Sequence, residues 1–277
     1  MKIAIDLGGT SLRLAQIEDQ QILKSVKVKC PAQSDEKAVL DAIIAGIRQL
    51  MTPAVDEIGI GVPSVVDAEL GIVYDVANIP SWREVHLKEI IERETGIPTF
   101  VDNDVNCFVL GEKYFGAGRQ YDDVVGITLG TGVGAGIITN GHLYRGANTG
   151  AGEVGSLPYL DSDYEHYCSS LFLKRCGTLT GEELVSKAAE GDEAALRLWE
   201  QLGFHVGKLL QVLLFTYDPQ AIIIGGGLTA AAPYFEASMR KSMAEGFPYA
   251  RTVEKVKVCW SSLQGSNLLG ASMLHNS

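Results

Sequence analysis

The sequence predicts an α/β protein built from two similar halves, and three observations carry that reading. Two glycine-rich turns, Asp6-Leu7-Gly8-Gly9-Thr10 and Leu129-Gly130-Thr131-Gly132-Val133-Gly134, each follow a short apolar strand (3–5 and 124–128) and lead into another (12–17 and 135–139). Strand-like and helix-like patterns then alternate along most of the chain. Aligning Asp6-Leu7-Gly8 on Thr128-Leu129-Gly130 puts strand, turn and strand in phase, as an internal duplication would. The period is too long, and repeated too few times, for a solenoid.

The first third reads as a strand triplet within 2–28, a helix over 35–51 and a strand at 57–62. In the helix, Val39, Leu40, Ile43, Ile44, Ile47 and Leu50 recur at helical spacing on one side. A second helix near 86–95 stops at Gly96-Ile97-Pro98, with the charged run 89–94 as its wet face. The strand 99–101 then runs through Asp102-Asn103-Asp104 into a helix over 105–115, with Gly116 as its natural stop. In the second half, the hairpin 124–145 precedes an irregular stretch and helices within 181–216. The strand 221–224 enters Gly225-Gly226-Gly227 and a helix near 229–245. A strand at 256–260 and a terminal helix from about 266 complete the pattern. No Pro/Ser-rich linker separates the halves.

The chain has 277 residues with 46% hydrophobic content, enough for a sizeable core and for two lobes. A net charge of −11 argues against a nucleic-acid surface, which needs clustered Lys and Arg. Cysteines 30, 107, 168, 176 and 259 are scattered without a disulfide-scaffold pattern and read as reduced thiols. The chain opens directly into a strand rather than a secretory leader, and its apolar stretches, such as 209–215 with Gln211 inside, are too short to span a bilayer. These features predict a cytoplasmic protein without membrane partners.

A glycine turn without Cβ atoms lets backbone N–H groups approach an anion closely and form a concave site. Two such turns could face each other across one polyphosphate, which points to phosphoryl transfer. No Gly-x-x-x-x-Gly-Lys-Ser/Thr string occurs, so this is not a P-loop.

In order along the chain, Asp6-Leu7-Gly8-Gly9-Thr10, Gly61-Val62-Pro63, Asn78 with Trp82, Asn103-Asp104-Val105-Asn106, Gly111-Glu112, Gly130-Thr131-Gly132-Val133-Gly134, Gly152-Glu153-Val154-Gly155 and Gly225-Gly226-Gly227 together resemble the ROK family of sugar kinases and repressors, within the actin-like ATPase superfamily. The resemblance spans nearly the whole chain. It implies a duplicated, ribonuclease H-like fold of two α/β lobes flanking a cleft where ATP and sugar meet. The small lobe is expected over 1–107 with a returning C-terminal helix at 265–277, and the large lobe over 108–264.

The resemblance also distributes roles. Asp104 is expected to be the catalytic base that orients a sugar hydroxyl and accepts its proton; the alternative is an ordinary helix N-cap. Substrate contacts are expected from Ser64, Asn78, Asn103, Asp104, Glu153, Ser156 and Glu165. Asp6 is expected to serve Mg²⁺, through water. Gly8, Gly9, Thr10, Gly130, Thr131, Gly132 and Gly134 are assigned to ATP phosphates, and Gly225, Gly226 and Gly227 to adenosine, against a plain β–α turn for the last three. Arg13 approaches phosphate or is a solvated strand charge. Trp82 supports Asn78 or is a packing anchor.

Two departures concern the sugar end. Family members carry His after Gly-Glu-x-Gly, where this chain has Ser156, and often Gly where it has Ser64. The family's Cys-x-Cys-Gly-x-x-Gly-Cys zinc loop is missing, the residues between 156 and 165 forming a shortened replacement before Glu165-His166-Tyr167-Cys168-Ser169. His166, Cys168 and Cys176 do not provide four ligands at zinc spacing, so zinc is not expected.

The expected protein is an ATP-dependent, Mg²⁺-using sugar kinase acting on a hexose or N-acylhexosamine, at O6, and a homodimer. Two rival readings are a sugar-sensing regulator, for which this chain shows no helix-turn-helix segment, and a non-catalytic or ATP-hydrolysing actin-like protein.

Overall fold

The computed structural model describes residues 1–177 and 179–277. Along the first part of the chain, β1 (Lys2–Leu7), β2 (Ser11–Glu18), β3 (Gln21–Lys29), α1 (Glu36–Leu50) and β4 (Glu57–Val62) follow the predicted order. Asp35 starts α1 by accepting a hydrogen bond from the Ala38 N–H at 2.8 Å. A three-stranded antiparallel sheet follows, made of β5 (Val65–Asp67), β6 (Ile72–Tyr74) and β7 (Glu84–Val85). Its strands have two or three residues each, too few for alternation to register in the sequence. Then come α2 (Leu87–Thr95), β8 (Thr99–Asn103) and α3 (Asp104–Phe115).

The second part contains β9 (Val124–Leu129), β10 (Val133–Thr139) and β11 (His142–Leu143). The stretch expected to be irregular holds a 3₁₀ turn (Val154–Ser156), the two-residue strands β12 (Pro158–Tyr159) and β13 (Ser162–Asp163), and two short helices, α4 (Tyr164–Cys168) and α5 (Ser170–Cys176). Helices of five and seven residues are too short to display a period. Their starts are set locally, by Asp163 and Ser169 side chains accepting from backbone N–H groups. α6 (Gly181–Ala189), α7 (Glu193–Tyr217), β14 (Ala221–Gly225), α8 (Ala232–Ala244), α9 (Ala250–Lys255), β15 (Lys257–Trp260) and α10 (Ser266–Ala271) complete the order. The helix expected near 229 begins as a 3₁₀ turn over Gly227–Ala231. Its α-helical part starts with Pro233 in the first turn, where a missing N–H costs nothing.

Two five-stranded sheets organise the chain, with orders β3-β2-β1-β4-β8 and β11-β10-β9-β14-β15. The same connectivity rule generates both: a first strand at the centre, its hairpin strands to one side and later strands to the other. That correspondence matches the duplication read from the two glycine turns. β1 pairs antiparallel with β2 and parallel with β4, and β4 pairs parallel with β8. β9, β14 and β15 are mutually parallel in the second sheet.

The chain divides into two compact units. One comprises 1–120, 136–151 and 262–277; the other comprises 121–135 and 152–261. The first has its core in Ile3, Ile5, Leu12, Leu14, Ile43, Ile47, Ile58, Ile60, Trp82 and Val101. α10 belongs to this unit and packs along α3. The second is centred on Val125, Ile127, Trp199, Leu202, Leu209, Leu213, Ile222, Ile224, Phe235 and Met239. Burying each such Leu, Ile or Phe contributes roughly 1.5–3 kcal/mol relative to exposure.

No helix among the described residues is long and apolar enough to cross a membrane. All five cysteines are free thiols.

Candidate active site

Sheet register fixes the first cluster. Asp6 on β1 stands opposite Gly61 on β4, and Gly61 opposite Asp102 on β8, so three strand ends form one row. Beyond that row, β8 turns directly into α3. Asn103 is the N-cap of α3: its Oδ1 accepts from the Val105 N–H at 2.8 Å and the Asn106 N–H at 3.3 Å, and its Nδ2 donates to the Ser64 carbonyl at 3.0 Å. Capping therefore falls to Asn103, and Asp104 is the first residue of the helix, half-buried. A carboxylate there is favoured by the helix dipole.

Asn103 and Ser64 are thus linked directly. The Ser64 hydroxyl donates to the Tyr74 carbonyl, and the Ser64 N–H donates to the Val62 carbonyl at 2.9 Å. A glycine would lack the first of these bonds, so the serine ties the segment after β4 to β6.

The β1–β2 turn is closed by the Gly8 N–H donating to the Ser11 carbonyl at 3.0 Å. A Cβ placed on Gly9 would lie 2.7 Å from Asn78 Cβ, so exposed Asn78 rests against this turn. Thr10 is exposed, and its carbonyl accepts from the Cys30 N–H at 3.1 Å. Asp6 itself is buried, and burial pushes its carboxyl above the ordinary aspartate range. Arg13, 3.3 Å away, and a hydrogen bond with Asn267 pull the other way. A buried carboxylate held at a cost is suited to a cation, and one protein carboxylate plus phosphate oxygens and waters is the ordinary donor set for Mg²⁺. Arg13 is neither of its two sequence readings in full: its side chain is largely exposed and it pairs with Asp6. Trp82 is fully buried in the core of this unit, a packing anchor.

In the second unit the 130–134 turn is held from both sides. The Gly130 N–H donates to the Gly132 carbonyl at 3.0 Å, and the Gly130 carbonyl accepts from the Ser170 N–H at 2.8 Å. The Glu165 Oε2 on α4 accepts from the Val133 N–H at 3.0 Å. A Cβ on Gly132 would collide with that carboxylate. Glu165 therefore braces the turn through the space that Gly132 leaves open. Glu153 precedes the 3₁₀ turn, and its carboxyl is pushed up, first by desolvation and then by the like charge of Glu165. Ser156 ends that turn, exposed, its N–H donating to the Glu153 carbonyl at 3.2 Å.

Gly226 has φ +93°, and a Cβ there would lie 2.6 Å from the Leu129 nitrogen, so only glycine brings the end of β14 this close to β9. The approach places Gly227 beside Gly130 at one wall of a cavity of about 520 Å³. Gly130, Thr131 and Gly227 line it together with Ser170, Leu173, Lys174, Leu179, Thr180, Gly181, Glu182, Val185, Trp199, Leu228, Ala230 and Ala231. Glycine turns with backbone N–H groups at one wall and Leu, Val and Trp side chains beyond suit a nucleotide. Gly134, Gly225 and Gly226 do not line it. The α5–α6 residues escaped the sequence reading because they belong to no glycine motif. Their only signal was the capping box Thr180-x-x-Glu183 opening α6.

The three residues weighed for zinc lie in different settings. His166 Nδ1 is 2.7 Å from Asp163 Oδ1, Cys168 is in the core and Cys176 is exposed. Among the described residues, no group of three or more His, Cys, Asp or Glu side chains could hold a metal ion. The segment between 156 and 165 is the β12–β13 hairpin, and aromatic packing anchors it. The Tyr159 ring stacks on Tyr164 with centroids 4.2 Å apart and meets Tyr167 edge-on at 5.3 Å, while its hydroxyl lies 3.1 Å from His205 Nδ1. Tyr164 and Tyr167 flank Glu165 on α4, so this cluster supports the helix that carries it. Burial lowers the His205 pKa to about 4 and raises that of Tyr159 to about 12.

Comparison with known proteins places these features in context. The model of the ROK family matches residues 2–277. A glucokinase of Thermotoga maritima is 30% identical over 275 residues, covering 88% of this chain and 87% of its own length. A β-glucoside kinase of Listeria monocytogenes is 32% identical over 273 residues, covering 91% of both. The crystal structure of a ROK family glucokinase from Streptomyces griseus, in complex with glucose and AMPPNP, superposes with a TM-score of 0.86 at 29% identity, over 100% of this chain and 99% of that one.

Proposed function

The chain belongs to the ROK family, and we propose that it transfers the γ-phosphoryl group of ATP to the O6 hydroxyl of a hexose or N-acylhexosamine, with Asp104 as general base. The fold is the two-lobed actin-like ATPase fold, and the class of activity is ATP-dependent sugar kinase, a phosphotransferase with an alcohol acceptor. The observation that carries the assignment of Asp104 is the division of labour at the start of α3. Asn103 satisfies the helix N-terminus, and Asp104 follows in the first turn, where the helix dipole favours a negative charge.

We assign the residues the roles that the family resemblance implies. Asp104 orients the sugar hydroxyl and accepts its proton as the O–P bond forms and the bond to ADP breaks. Asn103, Ser64, Asn78, Glu153, Ser156 and Glu165 recognise the sugar. The 8–10 and 130–134 turns present backbone N–H groups to the phosphates, and the cavity beyond Gly227 takes the adenosine. Asp6 would hold Mg²⁺ together with phosphate oxygens and water, and the ion supplies charge neutralisation on the phosphates. Catalysis is then mainly positioning, without a covalent enzyme intermediate. We further assign the protein to the cytoplasm, as a homodimer without nucleic-acid partners; its free thiols and net charge of −11 support the first and last of these.

The test is a coupled ADP-release assay with Mg-ATP against hexoses, hexosamines, N-acylhexosamines and β-glucosides. Sugar-dependent turnover is expected, and its ranking names the substrate. ATP hydrolysis indifferent to every sugar would overturn the proposal.

A further inference from the structure

The strand end that delivers Asn103 and Asp104 contains a third polar residue with no role in the reading above. Asp102 is 2% exposed, yet its carboxylate is surrounded by donors. The Asn103 N–H donates to its Oδ1 at 2.7 Å and Asn106 Nδ2 donates to the same oxygen at 2.8 Å. Arg145 Nε donates to Oδ2 at 2.7 Å. The same guanidinium reaches the Ser277 hydroxyl through its terminal nitrogen. Among the described residues, these side-chain bonds tie Asp102 to the β8–α3 turn and to Arg145.

We infer that Arg145 and Asp102 form a positioning pair for the general base: the ion pair between half-buried Arg145 and buried Asp102 locks the backbone turn from which Asp104 projects. A carboxylate this buried needs polar partners, because leaving one unpaired in the interior is costly. Without the Arg145 bond to Oδ2 the carboxylate is free to turn, which disturbs the bonds its Oδ1 accepts from the Asn103 N–H and the Asn106 amide, and so the first turn of α3. Displacing a reacting group by about 1 Å costs on the order of 100-fold in rate. Lysine is a poor replacement, since a single ammonium cannot span Asp102 and Ser277 as the planar guanidinium does.

This inference rests on Asp104 being the base, and the experiment separates the two. Steady-state kinetics would be measured for Arg145→Gln, Asp104→Asn and the double variant, with melting temperatures for each. Arg145→Gln is expected to lower kcat about ten- to hundredfold, with KM for ATP changed less than about twofold and the protein still folded at the assay temperature. In the Asp104→Asn background the same substitution should change the residual rate less than about threefold, because there is no base left to position. An equal loss in both backgrounds, or a wild-type kcat with only a lowered melting temperature, would make the pair a brace for the fold alone and overturn the inference. A near wild-type kcat in Asp104→Asn itself would instead remove the base assignment. Should Arg145→Gln fail to fold, the nearly isosteric Asp102→Asn carries the same test: a background-dependent loss of kcat is expected, and a wild-type kcat overturns the pair.

Discussion

The Glu165 carboxylate accepts a hydrogen bond from the Val133 N–H at 3.0 Å, across the space left by the missing side chain of Gly132. A residue assigned to the sugar is thereby also a structural member of the glycine turn assigned to phosphate. One carboxylate oxygen fixes the turn. The other is available to the proposed sugar, so changes at this position should be felt by both substrates.

Glu165→Ala and Glu165→Gln separate those two duties. The amide oxygen of glutamine can still accept from the Val133 N–H, whereas alanine leaves that donor unpaired. A hydrogen bond to a charged group is worth about 1.5–3 kcal/mol. Glu165→Ala is expected to raise KM for ATP about tenfold or more, and Glu165→Gln to leave it within about twofold, while both raise KM for the sugar. Equal KM for ATP in the two variants would show that the Val133 bond does not matter to nucleotide binding.

Asp104→Asn removes the proton acceptor with little change in shape. General-base assistance contributes typically 10²–10⁴-fold, and kcat is expected to fall by about that factor. Sugar binding by calorimetry should stay within a few-fold of wild type, since the amide retains a hydrogen-bonding oxygen. Turnover near the wild-type rate would assign the proton to another group.

The cavity beside Gly227 can be narrowed from an exposed position. Ala230 is exposed and lines that cavity. Ala230→Trp is expected to raise KM for ATP about tenfold or more, with the affinity for sugar alone and the melting temperature nearly unchanged. Unaltered ATP kinetics would place the adenosine elsewhere.

His205 makes stability depend on pH in a definite direction. Burial holds it neutral down to a pKa of about 4 in the folded protein, against 6.5 for the unperturbed group. Between those values the unfolded chain binds the extra proton, so stability falls as pH drops through this window and rises with pH up to its top. His205→Gln should flatten this part of the melting temperature profile measured from pH 7 to pH 4, relative to wild type. Parallel profiles for the two proteins would mean that His205 takes up its proton equally in both states.

Much of this was legible in the residues. The two glycine turns marked both hairpins and their duplication, because close approach to Asn78 at Gly9 and to Glu165 at Gly132 leaves no room for a side chain. Helix α1 declared itself through the period of Val39, Leu40, Ile43, Ile44, Ile47 and Leu50, whereas its cap Asp35 and that of α7, Asp192, came from the structure. The hairpin at 158–163 and the helices α4 and α5 were hidden, since their lengths fall below one readable period. The Arg145–Asp102 pair was hidden for a different reason: ion pairing at a separation of 43 residues depends on tertiary placement. The resemblance supplied roles for Asp104 and Glu165 that their neighbours in sequence could not, while the bond from Val133 to Glu165 emerged only from the folded turn.

The discontinuity of the first unit imposes an order of events at the ribosome. Its segments 1–120 and 136–151 leave the exit tunnel early, but 262–277, which carries α10, is made only after the whole of 152–261. Helix α3, with Asp104 at its first position, lacks its packing partner α10 until that last stretch emerges. The nascent chain therefore cannot complete the site of its proposed base before α10 has been made. The second unit has its whole sequence in hand at residue 261, before the first is complete, and is placed to finish folding first.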